Sequence, residues 1–114
     1  MNHQRLKCYL LLLDIAKRSP SLLARIPRGH NYIVDQFKRA LSSAILNLSE
    51  GNGRISTKEK RRFFDISLAS ISECSSAIDI MLAYCLISTN AGHEFRSAFG
   101  QAYAMIVGLK RSTI

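Results

Sequence analysis

From Ser56 to Cys85 the chain runs for thirty residues without a proline or a glycine. Apolar residues in this stretch follow a helical period, not the alternation of a strand. Phe63, Ser67, Ser70, Cys74, Ala77 and Met81 form one stripe, and Phe64, Leu68, Ile71, Ile78 and Leu82 form a second beside it. A helix this long is well above the globular average, and two adjacent stripes require neighbours on two sides. The remaining 84 of the 114 residues supply those neighbours as further long helices, because two prolines and six glycines leave material for few turns. The spacing predicts one domain over residues 1–114, an all-α antiparallel up-down-up-down four-helix bundle.

The first helix is read from about Asn2 to Leu23, with Leu6, Tyr9, Leu10, Leu13 and Ala16 as its stripe. Leu11, Leu12 and Ile15 widen that stripe until nearly the whole circumference is apolar. One bundle core cannot cover so much surface, so a second burial surface, and hence self-association, is expected. Pro20, Pro27 and Gly29 punctuate the connection that follows. Asn31 stands where it can cap the second helix, whose inner face carries Ile33, Phe37, Leu41, Ala44, Ile45 and Leu48. Ala40, Ser43 and Ala44 are small enough to let a neighbouring helix approach closely, and Gly51 reads as the terminator of this helix. Ser56 and Glu59 have the spacing of a capping box for the third helix. After the turn STNAG the fourth helix points Phe95, Phe99, Ala102, Ile106 and Leu109 inward.

The N-terminus resembles a signal peptide only superficially. Asp14 interrupts its leucine run, Lys17 and Arg18 close it, and no small-residue cleavage site follows. The run is also too short to span a membrane. Cys8, Cys74 and Cys85 cannot all pair and have no metal-ligand spacing, so they read as buried thiols of a cytoplasmic protein. His3, His30 and His93 are scattered, the glycines of EGNGR lack the context of a phosphate loop, and no serine lies in a nucleophile-elbow motif. No metal or other cofactor is expected. One enzyme-like pattern remains. Arg25 and His30 have the R-x4-H arrangement seen in helical-bundle RNases, with Pro27 and Gly29 between them placing the pair in a loop.

Charge is the more informative signal. Sixteen basic and eight acidic side chains give a formal charge of +8, which attracts polyanions. Arg54, Lys58, Lys60, Arg61 and Arg62 crowd around the start of the third helix with Glu59 as the only acid among them. Like charges at these offsets repel, and the helix dipole adds a further penalty of a few tenths of a kcal/mol each. Local stability does not explain the cluster, whereas a phosphate backbone would offset its repulsion. Lys110 and Arg111, in contrast, complement the C-terminal end of the fourth helix. Glu50 has the wrong sign for the end of the second helix and needs a partner, with Arg54, Arg39 or loop N–H groups as candidates. Asn47, Glu50 and Gly51 are read as a structural corner between the second and third helices. Ser70 and Glu73 are expected to hydrogen-bond across the bundle or an interface, with Asn47 one possible partner.

These residues also carry a resemblance. Gln36, Arg39-Ala40, Ser43, Asn47-x-x-Glu50-Gly51, Gly53-Arg54, Lys58, Phe64 and Ser70-x-x-Glu73 occur in an ordered combination. It resembles that of the bacterial four-helix-bundle proteins encoded within 23S rRNA intervening sequences, and agreement in length and helix order extends over nearly the whole chain. Ala44 stands where that family often has proline, and Ile26 where it has an aromatic before the proline matched by Pro27. The chain is similar, more distantly, to the accessory variability proteins of diversity-generating retroelements, which are basic pentameric bundles that bind nucleic acid and a reverse transcriptase. The resemblance implies a non-enzymatic protein that assembles into a ring-shaped homo-oligomer, a pentamer. Together the observations point to an RNA-binding assembly protein that contacts phosphates through Arg54, Lys58, Lys60, Arg61 and Arg62. With few aromatics free for stacking, little sequence preference is expected. The alternatives are a protein–protein scaffold serving a nucleic-acid enzyme, and an RNase using Arg25 and His30.

Overall fold

The computed structural model describes residues 2–113. Four long helices follow in order: α1 (His3–Leu23), α2 (Asn31–Gly53), α3 (Thr57–Ala83) and α4 (Thr89–Arg111), with a 3₁₀ turn at Arg28–His30 ahead of α2. The 27 residues of α3 span about 40 Å at the helical rise, close to the 44 Å long axis of the molecule. The helices therefore lie along that axis. Cross-helix contacts set their directions. Gln36, Ser43, Ala44 and Gly51 of α2 meet Glu73, Ser70, Ser67 and Phe64 of α3 in reversed order. Asp65 and Asp79 of α3 meet Lys110 and Arg96 of α4 in the same reversed sense. The bundle is antiparallel, with α1 beside α2 and α4 and diagonal to α3.

The core follows the predicted stripes in three helices. Of the α3 positions, Phe64, Ser67, Leu68, Ser70, Ile71, Cys74, Ala77, Ile78 and Met81 are buried, whereas Phe63 and Leu82 are only partly covered. All five inward positions expected on α4 are buried. On α2, Ala40 and Ala44 are buried and bring α3 close enough for the Ser67 hydroxyl to donate to the Ala44 carbonyl at 2.7 Å. By length and apolarity α3 could cross a membrane, but here it supplies the central wall of this core.

Helix α1 departs from its expected stripe. It buries Cys8, Leu12, Ile15, Ser19 and Leu23, and leaves Leu6 and Leu10 at 43% and 52% exposure with Leu13 half-buried. The surplus of apolar residues made either face a possible choice, and packing against α2 and α4 decided between them. Pro20 lies inside α1 instead of ending it. Proline cannot supply the N–H that would bond to the Ala16 carbonyl, and the Ser19 hydroxyl donates to that carbonyl at 2.8 Å instead. Asn31 is likewise not a cap. The 3₁₀ turn runs directly into α2, so Asn31 already has helical backbone angles and His30 occupies the capping position without a side-chain bond. The other helix starts are capped: Asn2 accepts from the Arg5 N–H, Ser56 from Glu59 and Ser88 from Ala91.

Cys8 and Cys74 are buried as expected, but Cys85 is exposed. It follows α3 at a left-handed turn, with φ 58°. The Cys85 and Leu86 N–H groups donate to the Leu82 and Met81 carbonyls, which completes a Schellman motif. An L-residue with a Cβ is strained there, so Cys85→Gly should stabilise the fold by about 1 kcal/mol, readable in urea unfolding. Burial pushes the Cys8 and Cys74 thiols up to about 11 and about 12, with the Glu73 carboxylate adding to the rise at Cys74. A thiol-reactive dye at pH 8 should therefore label only Cys85 in the native protein and all three cysteines in denaturant. Because the folded-state values are raised, the two thiols contribute stability that is present below about pH 9 and lost as pH climbs toward 11 and 12.

Candidate nucleic-acid interface

The antiparallel arrangement brings the starts of α1 and α3 and the ends of α2 and α4 to one end of the bundle. At its centre is the α2–α3 corner. Gly51 does not terminate α2, which continues to Gly53, and no glycine among the described residues has positive φ. Its role is close packing. A Cβ on Gly51 would lie 2.6 Å from a ring carbon of fully buried Phe64 and 3.4 Å from the Lys60 carbonyl. The missing side chain is what lets α3 begin against the end of α2.

The other corner residues are arranged along the α2–α3 seam. Glu50 pairs with Arg54 at 3.0 Å, one of the partners its position called for. Asn47 donates to the Ser43 carbonyl at 2.8 Å and to the Ser43 hydroxyl at 3.2 Å. Ser70 reaches Ser43 at 2.8 Å, so Asn47 and Ser70 are linked through Ser43 and not directly. Glu73 accepts from Gln36, whose carbonyl oxygen lies 3.5 Å from an Arg39 guanidinium nitrogen. These polar groups make a ladder across the seam that holds the register of the two helices.

The basic residues radiate from this corner. Arg54 and Arg62 lie on the Phe63 ring, each guanidinium carbon 4.9 Å from its centroid. Glu59 holds Arg62 at 3.6 Å and does not return a bond to the Ser56 N–H among the described residues, so only the serine half of the capping box forms. Lys60 points back over the end of α2, with its ammonium 3.5 Å from the Gly51 carbonyl. Partial burial, and next the nearby Arg5 guanidinium, hold this ammonium below the usual lysine range. Lys58 and Arg61 have no carboxylate partner among the described residues.

The fold adds four cations that sequence reasoning left out of the cluster. Arg5 of α1 reaches the Asn52 carbonyl at 3.4 Å, and Lys7 follows it on the same helix. Lys110 pairs with Asp65 at 2.6 Å, and Arg111 lines the same α3–α4 groove as Arg61. Lys110 and Arg111 had a sufficient local explanation in the dipole of α4, which concealed their place beside the start of α3. Divided at the helix midpoints, this half of the bundle holds nine of the sixteen basic side chains and three of the eight acidic ones.

The expected loop pair lies in the other half. Arg25 is exposed in the turn after α1, and His30 closes the 3₁₀ turn. The His30 ring lies 6.0 Å from Tyr32 and 5.9 Å from Tyr84, and its Nδ1 is buried without a hydrogen-bond partner.

A model of the 23S rRNA-intervening sequence protein family matches residues 4–108. The chain belongs to that family. The match covers all of α2 and α3 and nearly all of α1 and α4, so the corner ladder and most of the basic end lie within it. Arg111 falls just beyond its limit, as does Lys110. A comparison with curated proteins finds no match.

Proposed function

We propose that this family member is a non-enzymatic, oligomeric nucleic-acid-binding protein that uses its basic end to contact the phosphates of RNA. The observation that carries this reading is the convergence of nine cations from α1, α3, α4 and the α2–α3 connection on one end of the bundle, with three carboxylates to balance them. Such a surface costs stability through self-repulsion. A polyanion relieves the repulsion and gains from counterion release. RNA is favoured over other polyanions by the family's 23S rRNA association. Arg54, Lys58, Lys60, Arg61 and Arg62 are assigned to phosphate contact, with Arg5, Lys7, Lys110 and Arg111 beside them.

The exposed apolar face of α1 supports self-association. Leu6 and Leu10 stay exposed one turn apart on a helix whose other apolar face is already in the core. A second copy covering that face would gain about 25 cal/mol for each Å² of apolar surface removed from water. In this reading the assembly is the pentameric ring that the family resemblance implies, which would repeat the basic end around its axis and multiply weak phosphate contacts. The proposed setting is the cytoplasm, without a cofactor.

Filter binding of labelled single-stranded RNA across a salt series tests the reading. Affinity should fall steeply and linearly in log–log form, and a flat response would end it. In a pull-down after nuclease treatment, a protein partner retained in full would favour the scaffold alternative. RNA cleavage that disappears in His30→Ala would favour the RNase alternative.

A further inference from the structure

An open groove runs along the outer seam of α3 and α4. Its first part, of about 570 Å³, begins at the basic end between Arg61 and Arg111. Its second part, of about 490 Å³, continues along the seam to Arg96. Both volumes are in the range of small-ligand clefts, roughly 300–1,000 Å³. The two parts share Ser72 and Tyr103. The Tyr103 side chain stands in the middle of the groove at 41% exposure, with small residues among its neighbours. Ala69 and Ser72 lie across from it on α3, and Gly100 precedes it by one turn on α4. A Cβ built on Gly100 meets nothing within 4 Å, so space is open beside the ring.

The charges in this groove are not all available. Lys110 is taken up by Asp65, and Arg96 by Asp79 at 3.2 Å, so each carboxylate in or beside the groove is neutralised. Arg61 and Arg111 have no such partner among the described residues. The arrangement is an exposed aromatic ring with free space next to it and two unpaired guanidinium groups about two to three helical turns away. Uniform phosphate binding does not require the ring or the space. Stacking of an unpaired base uses both, because the base lies on an aromatic face while its backbone follows the cations.

We infer that the α3–α4 groove takes one unpaired base of a single strand against Tyr103, with the adjoining phosphates on Arg61 and Arg111. This inference rests on the reading of the basic end as an RNA surface and adds a preference for unpaired over duplex RNA. The groove lies on α3 and α4, away from the exposed Leu6 and Leu10 of α1.

The test uses fluorescence anisotropy with two labelled probes of equal length and phosphate number, a mixed-sequence single-stranded oligoribonucleotide and its abasic counterpart. Tyr103→Ala should weaken the base-bearing probe by about tenfold or more and leave the abasic probe unchanged. Tyr103→Phe should bind as the wild type does, because stacking needs the ring and not the hydroxyl. Gly100→Leu, which fills the open space without meeting the core, should reproduce the loss. Equal losses for both probes in Tyr103→Ala, or no loss for either, would overturn the groove assignment. So would a change in oligomeric state by Tyr103→Ala, which would make the groove a contact between copies. If the wild type binds neither probe, the RNA reading itself fails. If it binds both equally with steep salt dependence, the RNA reading stands and only the groove is wrong.

Discussion

Replacing Lys58, Arg61 and Arg62 together with alanine should weaken RNA binding about a hundredfold near 0.1 M salt. Each cation at contact distance from a phosphate contributes ~1 kcal/mol in water, and 1.4 kcal/mol is a factor of ten. The slope of log affinity against log salt should also fall by about two units, near 0.7 for each single-strand phosphate contact removed. The same substitution should leave the melting temperature unchanged or slightly raise it. Lys58 and Arg61 have no ion partner among the described residues, and all three side chains repel neighbours near the start of α3. Loss of binding without loss of stability separates a working surface from a structural one. Unchanged affinity in the folded variant would remove these residues from the interface.

Gly51→Val should destabilise the protein by about 2–3 kcal/mol and lower its melting temperature by roughly 10 °C or more. On helix propensity alone the change is favourable, because glycine is among the poorest residues in a helix interior. Packing reverses the sign. The new Cβ would fall 2.6 Å from a Phe64 ring that is fully buried and has no room to turn aside. Gly108→Ala on α4 is the matched control. Its Cβ meets nothing within 4 Å, so it should gain up to about 1 kcal/mol from propensity. Thermal melts of the two variants should move in opposite directions. If both rise, the close approach of α3 to Gly51 is not what stabilises the corner.

The comparison of these two glycines shows where sequence reasoning reached its limit. Gly51 reads along the chain as a helix end because glycine is common there, and nothing local distinguishes a terminator from a contact point. Only Phe64, thirteen positions later and packed across the seam, decides it. Phe63 is a similar case. Helical spacing made it a core residue, but the core accepted Phe64 and left Phe63 as a platform for Arg54 and Arg62. The face of α1 was also undecided by pattern, because apolar residues encircle it. In contrast, α3 and α4 have one polar side each, and their buried positions were legible almost residue by residue.

The five-residue basic cluster was legible because it is contiguous and electrostatically unfavourable where it stands. Its extension to Arg5, Lys7, Lys110 and Arg111 was not, since charges at the two ends of a chain have no visible relation until the helices pack. Tyr103 was missed for a related reason. An aromatic on the outer side of an amphipathic helix has no local signal, and it acquires meaning only from the groove it shares with α3.

By itself, the sequence determined the helices, their number, most of their inward faces and the excess of positive charge. These follow from short-range periodicity, capping and composition, which act within a few residues along the chain. The tertiary structure alone decided which face of α1 is buried, why Gly51 has no side chain, and that cations from three helices and the α2–α3 connection meet at one end of the bundle. Those outcomes depend on contacts between residues far apart in sequence, and only the antiparallel packing of the bundle brings such residues together.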